Sequence, residues 1–248
     1  MKGVFFNKPL EWSLDAVGES WQQGSIVKGE LKVKNHGSED ISLQDAGVAL
    51  AHGEMKKVHA KAQDALKIEL KEEFKIQKIG PGEELGLSFS LLLPENALIT
   101  DKKSSFYLTY GKGCMENHLQ LKVIPRALFE KLIGLLDTFY RFKVKDCKSS
   151  KKGVEYKLTP PTSRDMANLE GLNLVLWMED ELLKLMFDFQ VKKLDMASVT
   201  TKVCKESVKV TRDLPKKEYS MGPDMINQDG LLKAIESVLS EVKLKAVF

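Results

Sequence analysis

Apolar and polar positions alternate through most of the first half of the chain. In "QQGSIVKGELKVKNHGSEDISL", residues 22–43, Leu31 and Val33 take one side and Lys32 and Lys34 the other. Asn35-His36-Gly37-Ser38 interrupts, and Ile41 and Leu43 resume the pattern. A strand with one face against a core reads this way, because successive side chains leave opposite faces of a pleated backbone. Leu66, Ile68, Leu70, Phe74 and Ile76 share one parity, with Lys and Glu on the odd positions between them. "GPGEE" at 80–84 is a turn, and Leu85, Leu87, Phe89, Leu91 and Leu93 follow up to Pro94. Phe106, Leu108 and Tyr110 precede a "GKG" turn at 111–113, and Leu119, Leu121 and Val123 close the series before Pro125. Short alternating runs broken by Gly, Pro and polar turns predict an antiparallel β-sandwich. Residues 51–63, "AHGEMKKVHAKAQ", hold helix formers without a clear apolar face and predict a long loop or a short helix.

At Pro125 the period changes. Leu128, Leu132, Leu135, Leu136 and Phe139 recur every three or four residues, and a proline suits the first turn, so 125–140 predicts one amphipathic helix. Alternation then returns: Phe142 and Val144; Val154, Tyr156 and Leu158; Leu172, Leu174 and Leu176; Leu183, Leu185, Phe187, Phe189 and Val191. "WMEDELL" at 177–183 reads as the hairpin turn between the two strongest runs, and Val199, Val203, Val208 and Val210 predict one or two more strands. Near the end Asp229 is placed to cap a second helix with Leu231, Leu232, Ile235, Val238, Leu239 and Val242 on its face. Two strand-rich blocks therefore divide the chain into 1–124 and 125–248, the second holding the junction helix and the terminal helix.

Composition narrows the function classes. A chain of 248 residues, 43% hydrophobic and 29% charged, is an ordinary globular sequence with room for two domains. Its net charge of +3 gives no global attraction to nucleic acid. The first 124 residues carry 16 basic and 17 acidic side chains, the remainder 22 and 18. Cys114, Cys147 and Cys204 are odd in number and far apart, which argues against a disulfide framework or a zinc cluster and fits a reducing compartment. The first residues contain no secretory apolar core, and the most apolar run, Leu85 to Leu93, is about half a membrane span. The expectation is a soluble cytoplasmic protein without cofactors.

Several segments together resemble the arrestin-like proteins, two β-sandwiches in tandem, and in particular their bacterial sporulation-control branch. They are "GSIVKGELKV" from Gly24 to Val33, matching an early glycine-punctuated strand with one residue of extra spacing; Leu93-Pro94 ending an aliphatic strand; Val123-Ile124-Pro125 followed by Leu128; and Leu169, Leu172 and Leu174. The retromer subunit shares the architecture. The resemblance implies an all-β fold of two tandem antiparallel sandwiches, and a non-enzymatic scaffold or adaptor that binds protein partners in regulation or in stress or developmental control. In "CMENHLQLKV" this chain has one acid, Glu116, where that branch carries several aspartates, so no charge latch is carried over.

The residues themselves offer little catalytic chemistry. His36, His52, His59 and His118 have no supporting ligands at metal-site spacing, although His52 and His59, seven apart, could share a helical face. There is no H-E-x-x-H, G-x-S-x-G, P-loop or G-x-G-x-x-G. Adjacent acids such as Glu72-Glu73, Glu83-Glu84 and Glu179-Asp180-Glu181 fall in turns or at strand ends, not across a cleft. A hydrolase or lyase would have to assemble its site from dispersed acids and histidines. The one dense run of single-sign charge is "KVKDCKSSKKG", where Lys143, Lys145, Lys148, Lys151 and Lys152 predict a hairpin loop. Such a loop guards a sheet edge against pairing, or it touches an acidic protein or an anionic lipid surface. The expected partner is a protein; a membrane surface and a second copy of the chain remain as alternatives.

Overall fold

The computed structural model describes residues 1–195, 202–222 and 225–245. The chain divides into two compact units, Met1–Ile124 and Pro125–Phe248. In the first, the strands are Lys2–Asn7 (β1), Leu10–Ala16 (β2), Trp21–Gln22 (β3), Ile26–Asn35 (β4), Ile41–Glu54 (β5), Leu66–Ile79 (β6), Glu84–Leu92 (β7), Ser104–Lys112 (β8), Asn117–Leu121 (β9) and Val123–Ile124 (β10), with a short helix Met55–His59 (α1) after β5. Two four-stranded antiparallel sheets, β1-β2-β4-β7 and β6-β5-β8-β9, form a sandwich, and β3 and β10 make a short parallel pair. Alternation places Trp12, Leu14, Leu31, Val33 and Phe89 of one sheet against Val48, Leu50, Phe106, Leu108 and Tyr110 of the other, all fully or almost fully buried.

The break at Asn35 has a clear cause. Its buried amide donates to the Glu39 and Ile79 carbonyls at 2.8 and 3.2 Å, and its Oδ1 accepts the Gly37 N–H at 2.8 Å. One side chain thus satisfies the backbone of the β4–β5 turn, where a buried polar group must find partners. Residues 51–54 continue β5, and α1 begins only at Met55. The expected inward row of β6 holds in part: Ile76 is buried, but Ile68 and Leu70 are 39% and 42% exposed. β6 is an edge strand, and its extra residue Glu69, between Leu50↔Leu70 and Ala51↔Ile68, shifts which face each parity meets. Both edges of the sandwich are tied across the layers. The Ser90 N–H of β7 donates to the Glu72 carboxylate of β6 at 3.0 Å, and the Asn7 amide of β1 donates to Glu116, just before β9, at 2.6 Å.

The second unit holds Ala127–Tyr140 (α2), Lys143–Ser149 (β11), Val154–Thr159 (β12), Leu169–Glu179 (β13), Leu182–Asp195 (β14), Lys202–Leu214 (β15), Lys216–Tyr219 (α3) and Gln228–Lys245 (α4). The all-β class and the antiparallel sheets expected from the sequence are present, as are the junction and terminal helices. β11 to β15 pair in chain order as one five-stranded sheet. In the second layer, where a sandwich would have another sheet, the described residues place helices. Rows such as Tyr156, Leu174, Phe187 and Val210 lie side by side on one face and are buried. The helices meet that face: the Tyr156 hydroxyl donates to Glu130 of α2 at 2.7 Å, and Arg212 of β15 donates to Glu241 of α4 at 2.8 Å.

α2 buries Phe129, Leu132, Ile133, Leu135 and Leu136, while Phe139, read as part of its apolar face, is 51% exposed. The spacing of 129, 132, 133 and 136 defines the buried stripe, and Phe139 lies past its end in the last turn. α4 buries Leu231, Ile235, Val238, Leu239 and Val242. Its cap is Asn227, whose Oδ1 accepts the Gly230 N–H at 3.0 Å; Asp229 sits inside the first turn, where a carboxylate still favours the helix dipole. The "WMEDELL" hairpin is present, with Asp180 and Glu181 both at positive φ, 49° and 62°, as a tight two-residue β-turn requires. Val199 lies outside the described residues.

Candidate functional site

Lys143, Lys145 and Lys148 lie on β11, the edge strand of the five-stranded sheet, and Lys151 and Lys152 lie in the turn that follows it. The expected loop is therefore mostly strand. Val144, Cys147 and Ser149 stand opposite the buried Leu158, Tyr156 and Val154, whereas Lys143, Asp146 and Lys148 stand opposite Thr159, Lys157 and Glu155. A bulge at Lys145 inserts one residue between Val144 and Asp146, which breaks the alternation and hides the strand in the sequence.

The five lysines differ in what holds them. Lys143 pairs with Asp137 of α2, and Lys148 pairs with Glu155 at 3.1 Å. The Lys152 ammonium stands over the Trp177 ring, 5.3 Å from its centroid. Lys145 and Lys151 have no ion pair among the described residues. Gly153 lets the turn lie this close to β13. A Cβ there would stand 2.2 Å from the Leu176 carbonyl oxygen and 2.6 Å from the Trp177 Cβ.

The charge is concentrated to a degree the chain total conceals. From Lys143 to Thr159 the β11–β12 hairpin carries six basic and two acidic side chains, a net +4, against +3 for the whole protein. Everything outside that hairpin is thus slightly acidic. Lys157 belongs to this hairpin and was passed over in the sequence, where only the run 143–152 stood out. Counting charge over the hairpin, not the run, would have found it.

On the sheet face away from the helices, Val175 and Met186 are direct cross-strand neighbours, and Trp177 lies two residues along from Val175 on the same side. Trp177 is half-buried, and its indole N–H donates to Glu179. That carboxyl is held below its usual pKa, first by a hydrogen bond from Lys184, which lies 2.7 Å away.

The histidines do not converge. His52 is on β5 and His59 on α1, so they share no helical face; β5 continues to Glu54 before the helix starts. His36 pairs with Glu11 at 2.6 Å and His52 with Glu69 at 2.8 Å. His118 meets Tyr107 edge-on and is held below its usual pKa by partial burial, then by the nearby His59 and Lys61. It lines a groove of about 380 Å³ with Lys61 and Glu116. The Glu116 carboxylate there is already engaged by Asn7 and by the Lys112 N–H at 2.9 Å. A second groove, of about 510 Å³ beside β15 and α4, mixes Arg212 and Lys233 with Asp213 and Glu218. Among the described residues no three His, Cys, Asp or Glu side chains gather as a metal site requires, and no helix is long and apolar enough to cross a membrane.

The fold is similar to the arrestin-like fold, with helices against the one sheet of the second unit among the described residues. A solved structure of this kind, Spo0M, a sporulation control protein from Bacillus subtilis, superposes with a TM-score of 0.61 over 95% of this chain and 99% of that one, at 15% sequence identity. The likeness is one of fold. No family model matches the chain, and no curated protein matches its sequence.

Proposed function

We propose that this chain is a non-catalytic adaptor or scaffold of the arrestin-like kind, and that its basic β11–β12 hairpin contacts an acidic protein partner. The observation that carries this is the net +4 confined to one hairpin of a protein whose remainder is slightly acidic. A local field of one sign on an open sheet edge speeds and orients encounter with an oppositely charged surface. Lys145 and Lys151 have no ion pair among the described residues, so a partner could meet them without breaking an ion pair there. The likeness to a sporulation control protein fits a regulatory role of this type.

The test replaces Lys148, Lys151 and Lys152 with Ser and measures binding of a fluorescent Glu-rich peptide by polarisation. The variant folds as the parent does, since exposed substitutions seldom shift stability by more than about 0.5 kcal/mol each. It binds roughly tenfold more weakly at about 0.01 M salt, and the gap narrows as salt screens the charges. Equal binding by parent and variant at low salt would overturn the proposal. Anionic vesicles in place of the peptide form the second arm; retention of vesicles without peptide would reassign the hairpin to a lipid surface.

A further inference from the structure

β11 is poorly suited to receive another strand. Lys145 bulges out of the ladder, the Cys147 N–H is already taken by the Asp146 carboxylate at 3.1 Å, and lysines line the edge. Each of these features keeps a foreign backbone away from a sheet edge. A partner of the hairpin must therefore be read through side chains. The side chains available sit on the face of the sheet that the helices leave open.

That face departs from the polar surface expected of the solvent side of an amphipathic sheet. Val175, Trp177 and Met186 form an apolar island across β13 and β14. Val175, opposite Glu155 and Met186 on this face, is 6% exposed. Charged groups of both signs ring the island: Lys148 paired with Glu155 on the Val175 row, Lys184 opposite Trp177 and held by Glu179 and Asp213, and Lys152 over its ring. A tryptophan held in one orientation and surrounded by charged side chains is the arrangement that concentrates binding energy in protein interfaces.

We infer that Trp177 anchors the contact surface, and that the partner presents an acidic segment carrying aliphatic or aromatic side chains. Carboxylates of that segment meet Lys148, Lys151 and Lys152, and an apolar side chain between them covers the exposed part of Trp177 and Met186. The inference rests on the adaptor reading of the hairpin and adds to it the anchor and the apolar component of the partner.

Two short peptides of equal negative charge test this, one of Glu and Ser, the other of Glu and Leu. Trp12 and Trp21 are buried, at 0% and 5% exposure, so acrylamide quenching reports on Trp177. The Glu/Leu peptide binds more tightly and shields Trp177 from the quencher. Trp177→Ala weakens that peptide about thirtyfold and leaves the Glu/Ser peptide unchanged, and Trp177→Phe restores most of the difference. Equal binding of both peptides with Trp177 fully open to acrylamide would overturn the anchor and leave the charge contact standing. Failure of both peptides to bind would overturn the adaptor reading together with it. Should Trp177→Ala fail to fold, quenching in the parent protein still decides the matter.

Discussion

The two units bury an apolar sheet face in different ways. In the first, a four-stranded sheet covers a four-stranded sheet, and carboxylates cross from one layer to the other at both edges, Glu72 to Ser90 and Glu116 to Asn7. In the second, helices α2 and α4 cover one face of a single sheet, and the other face stays open. A helix stripe and a sheet face solve the same burial problem, since each presents one apolar side to be removed from water. The consequences at the edges differ. The sandwich closes its edges with hydrogen bonds between layers. The single sheet guards β11 with lysines and a bulge, which leaves a charged surface beside an uncovered face. The proposed contact surface thus lies on the side of the second unit that the helices leave uncovered.

The largest effect that bears on this contrast concerns the helix layer. Leu132 is 0% exposed on α2, and truncating such a residue costs about 2–5 kcal/mol through lost burial and the cavity left behind. Leu132→Ala lowers the melting transition of the second unit in calorimetry and leaves that of the first in place. A variant that melts with the parent would show that α2 is not the covering layer. A smaller effect tests the seat of the hairpin. Gly153→Ala pushes a Cβ into the Leu176 carbonyl and Trp177, and overpacking of this kind costs about 1–3 kcal/mol. In this variant the amides of β11 exchange with solvent faster, while those of β4 keep the parent's protection.

The smallest effect lies in the sandwich. His118 takes up a proton less readily folded than unfolded, since burial, then the nearby His59 and Lys61, hold its pKa below the usual 6.5. The unfolded chain therefore binds more protons in the interval between the lowered value and 6.5. Stability rises with pH across that interval and falls on acidification through it. Melting temperatures from about pH 5 to 7 show this slope in the parent, and His118→Gln flattens it. An unchanged slope in the variant would remove His118 as its source.

Most strands could be read from alternation, because the two-residue period is a property of the backbone and survives in any fold that buries one face. β4, β7, β12 and β14 all follow it. The misreadings fall where a bulge shifts parity, at Glu69 on β6 and at Lys145 on β11, or where an edge strand lacks a neighbour to cover it, as at Ile68 and Leu70. A local pattern carries no mark of either condition. Of the candidate surface, the lysines were legible as a charge run. Trp177 was not, since "WMEDELL" reads as a turn and only the pairing of β13 with β14 sets Trp177 in a strand beside Lys184.

The amino-acid order thus determined the period of each element, its turn residues, the helix stripes and the charge of the hairpin, all of which depend on neighbours a few residues apart. Strand partners, the edge position of β11, the helical cover of the second sheet and the open side of Trp177 came from the fold. They depend on contacts between residues distant in sequence, for which one apolar face serves as well as another until the chain closes and shape selects among them.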